Sequence, residues 1–184
     1  MIDTVQDIAS TSPASSTYFA AIPGSGGFNT VNDCGACVQI TNGSYSIIAT
    51  VIDECPTDNG QNPLCTSTGH LDLSYGAWQA LHYSVGNPSG TTWKFVSCPV
   101  SGNIVTRLKS GNADQVYIQN TVLPIVSVTY SGQAATHLSY GVWQLPSGAG
   151  ASGATLVLTD VEGHSVTITV NGGDSGKQFP NKCP

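Results

Sequence analysis

Val, Ile and Thr recur in short runs that alternate apolar with polar positions at period two, and Gly, Asn, Pro and Ser separate the runs. Such punctuation predicts β-strands joined by tight turns. In the first half the runs fall at residues 17–21, 36–41, 46–53 and 92–98. In the second they fall at 104–109, 115–119, 125–130, 155–160 and 165–170, a regular spacing that suggests a sandwich of sheets. Helical spacing is confined to 74–82, where Ala77, Trp78 and Leu81 share one side, Ser74 is placed to cap, and Gly86-Asn-Pro-Ser-Gly90 ends the unit. The chain therefore reads as all-β: a small barrel-like domain with one short helix over 1–99, then a sandwich over 100–184. The break lies at Cys98-Pro-Val-Ser-Gly102, and the connection is too short for a freely swinging linker. Residues 1–16 read as a loose lead-in. Leu73-Ser-Tyr-Gly-Ala-Trp-Gln79 echoes Leu138-Ser-Tyr-Gly-Val-Trp-Gln144, but the flanks do not match, so the echo is read as coincidence rather than a repeat.

Composition narrows the class. With 184 residues, 40% hydrophobic and 9% charged, the chain suits one or two folded domains, and no apolar run approaches the roughly 18 residues of a membrane-spanning helix. Six cysteines, few charges and abundant Ser, Thr and Gly point to a secreted protein with disulfides. Cys34-Gly-Ala-Cys37 could open a zinc or redox site, but no second CxxC exists and His70, His82, His137 and His164 are scattered, so neither metal nor cofactor is expected. Met1-Ile-Asp-Thr-Val lacks the basic start and apolar core of a secretory signal and is read as a mature form behind an initiator methionine. Net charge is −6; residues 1–99 carry seven acids against Lys94, whereas residues 100–184 carry four acids and four bases. An acidic first half argues against nucleic acid and against polyanions such as pectin as the main partner.

The candidate chemistry lies in two aspartates. Asp53 closes the run in Ala49-Thr-Val-Ile-Asp53-Glu-Cys-Pro56, and Asp72 sits in His70-Leu-Asp72-Leu-Ser74. Both frames are apolar and strand-like, so folding is expected to desolvate the carboxyls in part, and perturbed carboxyls in a cleft serve acid and base chemistry. The plainer alternatives are a buried carboxylate at a helix start for Asp72 and a turn leaving a strand for Asp53, with Glu54 as a solvated rim residue. Cys55 and Cys65, ten residues apart, suit a local disulfide worth about 2–3 kcal/mol in the chain-entropy model, although six cysteines allow fifteen pairings.

Thr17-Tyr18, Cys34-Gly-Ala-Cys37, Val51-Ile-Asp53, His70-Leu-Asp72-Leu-Ser74 with Ala77-Trp78, Trp93-Lys-Phe-Val-Ser-Cys98, Gly102-Asn103 and Arg107-Leu-Lys109 follow one another in order. Together this series resembles the expansins, especially the microbial expansin-like proteins, over about residues 15 to 174. The resemblance implies a six-stranded double-psi β-barrel, similar to that of barrel-type endoglucanases, followed by an immunoglobulin-like sandwich that binds cellulose. It also implies a secreted, cofactor-free protein that loosens plant cell walls by disturbing noncovalent polysaccharide contacts. Asp72 matches the residue most needed for that activity, and Asp53 and Thr17 match residues of the same groove. In related endoglucanases the catalytic base comes from the first barrel strand, about 6.5–9.5 Å from the acid. Here that strand, Ser16-Thr-Tyr-Phe-Ala-Ala21, has no carboxylate.

The sandwich departs from the family. An aromatic row usually follows the Arg-x-Lys strand, but Ser110-Gly-Asn-Ala-Asp-Gln115 has none, which predicts weaker cellulose binding. Tyr140 matches the family's later tyrosine; Tyr117 and Trp143, with Lys109, supplement it if they face outward, while a core position is the alternative for Trp143. Trp78 and Trp93 are read as core. By resemblance Cys37 pairs with Cys98, which leaves Cys34 for Cys183. Expected partners are cellulose and xyloglucan-like glucans, with peptidoglycan as a further target, and the chain is expected to be a monomer bound to neither nucleic acid nor membrane. Two other readings stay open: a lytic transglycosylase or weak glycoside hydrolase working with one aspartic acid, and a polysaccharide-binding module without activity.

Overall fold

The computed structural model describes residues 18–23, 35–55, 65, 69–83, 90–138 and 142–177. The strands of the first half are β1 (Phe19–Pro23), β2 (Cys37–Asn42), β3 (Tyr45–Cys55), β4 (Asp72–Leu73) and β5 (Thr92–Val96), and the helix α1 is Tyr75–Ala80. They form one mixed sheet in the order β4-β1-β3-β2-β5, with β1 parallel to β3 and the other pairings antiparallel. β2 and β3 form a tight hairpin whose turn carries Gly43 at φ 58°, a conformation that favours glycine. Alternate residues of these strands (Ala20 and Ile22, Val38 and Ile40, Ala49 and Val51) turn to one face and bury a core with Leu81. Of the six strands expected in this unit, five lie among the described residues, with β4 and β5 at the ends of the sheet.

The second half contributes β6 (Val105–Leu108), β7 (Gln115–Gln119), β8 (Ile125–Tyr130), β9 (Gln133–Ala134), β10 (Thr136–His137), β11 (Val142–Gln144), β12 (Thr155–Asp160) and β13 (Ser165–Thr169). They make two four-stranded sheets, β10-β11-β7-β6 and β13-β12-β8-β9. The inward residues Val116, Val128, Trp143, Leu156, Leu158 and Ile168 pack with Ile104 and Leu145 between the sheets, the arrangement expected when period-two strands hide one face each. Among the described residues the fold is all-β with one short helix.

Specific ties hold the region where the two sets of strands meet. Cys37 is bridged to Cys98, and the Cys98 N–H donates to Val122 O at 2.8 Å. Asn120 sits at φ 60° and donates its amide to both Ser101 O (2.9 Å) and Asn103 O (2.7 Å). Asn is among the few side chains that accept this left-handed backbone, so one residue sets the turn and holds the connecting segment. At the other side of the sandwich, residues 173–177 run back along β6, with Thr106 N donating to Gly173 O and Ile104 N to Lys177 O. That segment covers the edge of β6.

Four strands escape the period-two reading: β4, β9, β10 and β11. Three of them have two residues and the fourth has three, too short for a pattern, and the pairing with neighbours creates them.

Asp160 is fully buried at the end of β12, where Oδ1 accepts the N–H groups of Glu162 (3.0 Å) and His164 (2.8 Å), and Oδ2 lies 2.9 Å from His164 Nδ1. Asp160→Ala leaves these donors without their acceptor, and we expect it to lower stability by about 2–4 kcal/mol in urea unfolding followed by fluorescence. A loss below about 0.5 kcal/mol would contradict this account of the turn.

Candidate functional site

A face of the first sheet carries both aspartates. In the β1–β3 ladder Ala20 pairs with Val51 and Ala21 with Asp53, so Ile52 is an extra residue, a β-bulge, just before the carboxylate. The bulge brings Asp53 level with Ala21. On the other side of β1, Asp72 of β4 pairs with the same Ala21. Residues paired across a ladder point to one side of the sheet, so Asp53, Ala21 and Asp72 share a face. With strands about 4.8 Å apart, the two aspartate Cα atoms lie roughly 10 Å from each other, and only a methyl group stands between them. Ala20 and Ile22 point the opposite way, into the core.

Ser74 fixes the level of β4. Its N–H donates to Phe19 O (2.9 Å), and its Oγ accepts from Phe19 N (3.1 Å) and, as the N-cap of α1, from Ala77 N (3.4 Å). The helix predicted over 74–82 is therefore present, with Ala77 and Leu81 buried and Asn42 Nδ2 bonded to Leu81 O at 2.7 Å. Asp72 itself is held by His70, whose Nε2 lies 2.8 Å from Oδ1, while Cys55 Sγ lies 3.0 Å from Oδ2. Cys55 is bridged to Cys65, as its spacing suggests, so that sulfur has no proton to donate and the contact is one of packing. The Asp72 side chain is 53% exposed and Asp53 is also exposed. The apolar frames do not desolvate these carboxyls: the neighbours in sequence turn inward, and the aspartates take the outward positions of the alternation.

A signal missed in the sequence is Phe95. It lies two residues after Trp93 on the same face of β5, is 49% exposed, and meets the Trp93 ring edge-on at 5.6 Å. Trp93 is partly buried against the core, and its Nε1 donates to Gly69 O (3.0 Å), which ties the loop before His70 to β5. Trp78 is partly buried and packs on Tyr83 at 4.7 Å.

On the sandwich, Tyr117 of β7 pairs with Arg107 of β6, and Lys109 Nζ lies 6.0 Å from the Tyr117 ring centroid. Tyr117 and Lys109 thus lie near each other, with Tyr117 partly exposed. Trp143 does not join them, and the outward alternative is corrected: it pairs with the buried Val116, is 4% exposed, and stacks on His137 at 4.1 Å between ring centroids, inside the core. Asp114, from the segment without aromatics, accepts Gly150 N (2.8 Å) and Gly148 N (3.0 Å), which holds its carboxyl below the usual range. It secures the 146–150 loop instead of supplying a stacking ring. Thr17, Tyr140, Cys34 and Cys183 lie outside the described residues; the Cys37–Cys98 and Cys55–Cys65 bridges are present.

No family model matches the chain. It is 27% identical to expansin-like protein 5 of Dictyostelium discoideum over 90% of its own length and 74% of that protein's. With expansin-like protein 3 of the same organism it shares 24% identity over 90% of its length, and it spans about half of that longer protein, 53%. Its fold matches the crystal structure of a Clavibacter michiganensis expansin mutant in complex with cellohexaose, at a TM-score of 0.67 and 21% identity, covering 91% of this chain and 85% of that one. The apo form of that expansin matches at 0.66 with the same identity and coverage.

His137 has both ring nitrogens buried without a partner, and burial lowers its pKa from 6.5. Its folded form resists protonation, so the associated stability is complete above the unfolded value near 6.5 and is lost as pH falls from there toward the lower folded pKa. His137→Phe should flatten the pH–stability curve as pH falls below about 6.5, measured by thermal unfolding of both chains. An unchanged slope would show that another group sets it.

Proposed function

We propose that this chain, which has the fold of an expansin and is similar to expansin-like proteins along nine-tenths of its length, is a secreted wall-loosening protein that binds cellulose or related glucans and disturbs their noncovalent contacts. The observation that carries the reading is the open sheet face on which Asp72, held by His70, and Asp53 flank Ala21. An inverting hydrolase needs a base opposite its acid to activate water. The strand running between the aspartates, Phe-Ala-Ala-Ile-Pro, has no group that could act as one. Asp53 comes from the far side of that strand, in the frame the resemblance assigns to a nonhydrolytic groove. An exposed carboxylate held by an imidazole is suited to accept hydroxyl hydrogen bonds from a sugar chain, in competition with that chain's own neighbours.

The groove is acidic and the ligand is accordingly a neutral glucan; xyloglucan-like chains fit the same chemistry. Tyr117, flanked by Arg107 and Lys109, supplies one aromatic face for a sugar ring, and Tyr140 joins it by resemblance. Two domains, 1–99 and 100–184, divide the work between groove and platform, and the protein acts as a monomer.

Asp72→Asn keeps the shape and removes the charge. If Asp72 accepts charge-assisted bonds worth about 1.5–3 kcal/mol, wall creep under constant load should fall roughly tenfold or more while adsorption to cellulose is retained. Neither chain should release reducing sugar. Equal creep from both chains would refute the central role of Asp72, and soluble products that disappear with the substitution would favour the lytic reading. Tyr117→Ala should weaken adsorption to crystalline cellulose by about 1 kcal/mol, roughly fivefold in a binding isotherm, and leave urea stability nearly unchanged.

A further inference from the structure

Around Asp72 the structure gathers a set of groups that neither sugar binding nor folding requires together. Cys55 Sγ, Cys65 Sγ, a ring nitrogen of His70 and a carboxylate oxygen of Asp72 all lie within 4.8 Å of one another. They come from three places in the chain: Cys55 ends β3, His70 and Asp72 flank the start of β4, and Cys65 stands between. The two sulfurs are buried, the His70 side chain is mostly buried and Asp72 opens to solvent. Two thiolates, one imidazole and one carboxylate form a donor set for a tetrahedral borderline-soft divalent cation, zinc above all. Ligand atoms around such an ion stand about 3.3–3.8 Å apart, so the cluster needs a contraction of roughly 1 Å at its widest span and a separation of the two sulfurs.

We propose that Cys55, Cys65, His70 and Asp72 form a redox-gated zinc site, closed to metal while the disulfide is intact and opened by its reduction. The balance is simple. An external dithiol passes two electrons and two protons to the Cys55–Cys65 bond and is itself oxidised to a disulfide, leaving two thiols. Zinc then displaces both thiol protons to solvent, and His70 and Asp72 exchange their mutual contact for bonds to the ion. The loaded site holds three anionic ligands on a dication and binds the carboxylate that faces the groove. If Asp72 works as described under Proposed function, zinc therefore switches loosening off; the metal site itself does not depend on that reading.

Cobalt(II) is the probe, because thiolate ligation in a tetrahedral site gives intense visible and near-ultraviolet bands absent from the hydrated ion. Titrated anaerobically into the dithiol-reduced full-length chain, cobalt should give one equivalent of such a species, displaced by an equivalent of zinc. The oxidised chain should give none. Cys55→Ser together with Cys65→Ser should abolish the thiolate bands, which excludes Cys34 and Cys37 as the source. His70→Ala and Asp72→Asn, which leave the disulfide partners in place, should retain the thiolate bands but alter the ligand-field region and weaken binding. No thiolate band in the reduced chain, the same band in the oxidised chain, or its survival in the double serine variant would each overturn the site. A zinc-loaded reduced chain that loosens walls as well as the oxidised one, while the cobalt results hold, would refute the wall-loosening role of Asp72 and leave the site standing.

Discussion

Everything at the candidate site depends on the placement of β1. This five-residue strand lies between a parallel neighbour, β3, and an antiparallel one, β4, and both ladders reach Ala21 at the same level. A shift of one residue in either ladder would turn an aspartate from the open face to the core. The register is therefore fixed by more than backbone bonds. On the β4 side, Ser74 exchanges hydrogen bonds with Phe19 and caps α1 as well; on the β3 side, the bulge at Ile52 absorbs the extra residue that would otherwise leave Asp53 out of step.

Much of this was legible in the sequence where a run was long enough to carry a period. The runs at 115–119, 125–130 and 155–160 coincide with β7, β8 and β12, and Ser74 caps the helix its position suggested. The bridges Cys37–Cys98, implied by resemblance, and Cys55–Cys65, suggested by spacing, are both present. Short strands were not legible, since β4 has two residues and exists because Ala20 and Ala21 offer it a partner. The polarity of the site was misread for the same reason. An apolar neighbourhood in sequence becomes the opposite face of a strand, so Asp53 and Asp72 emerge exposed beside buried residues.

The two tryptophans read differently from sequence meet similar ends. Trp93, a core position by sequence, is partly buried and bonded to Gly69 O, whereas Trp143, for which the sequence allows either an outward ring or a core position, is closed inside the sandwich on His137. The more open aromatic stands close by in each case: Phe95 is two residues from Trp93 on the same face of β5 and 49% exposed, and the partly exposed Tyr117 is one step from the Val116 that pairs with Trp143. Period two says that faces alternate; which face is the wet one is decided by the partner sheet.

Under the proposed binding to a solid polysaccharide, the Cys37–Cys98 bridge would have a mechanical meaning. Among the described residues β5 is an edge strand, and the chain leaves it directly for Cys98 and the sandwich. Tension transmitted from the sandwich would otherwise peel β5 from β2 one hydrogen bond at a time, the weakest way to load a sheet. The covalent link instead delivers the load to the first residue of β2, a strand clamped on both sides by β3 and β5. Force applied there would have to shear the β2–β3 and β2–β5 ladders rather than unzip one edge, which would protect the half of the molecule that carries the aspartates.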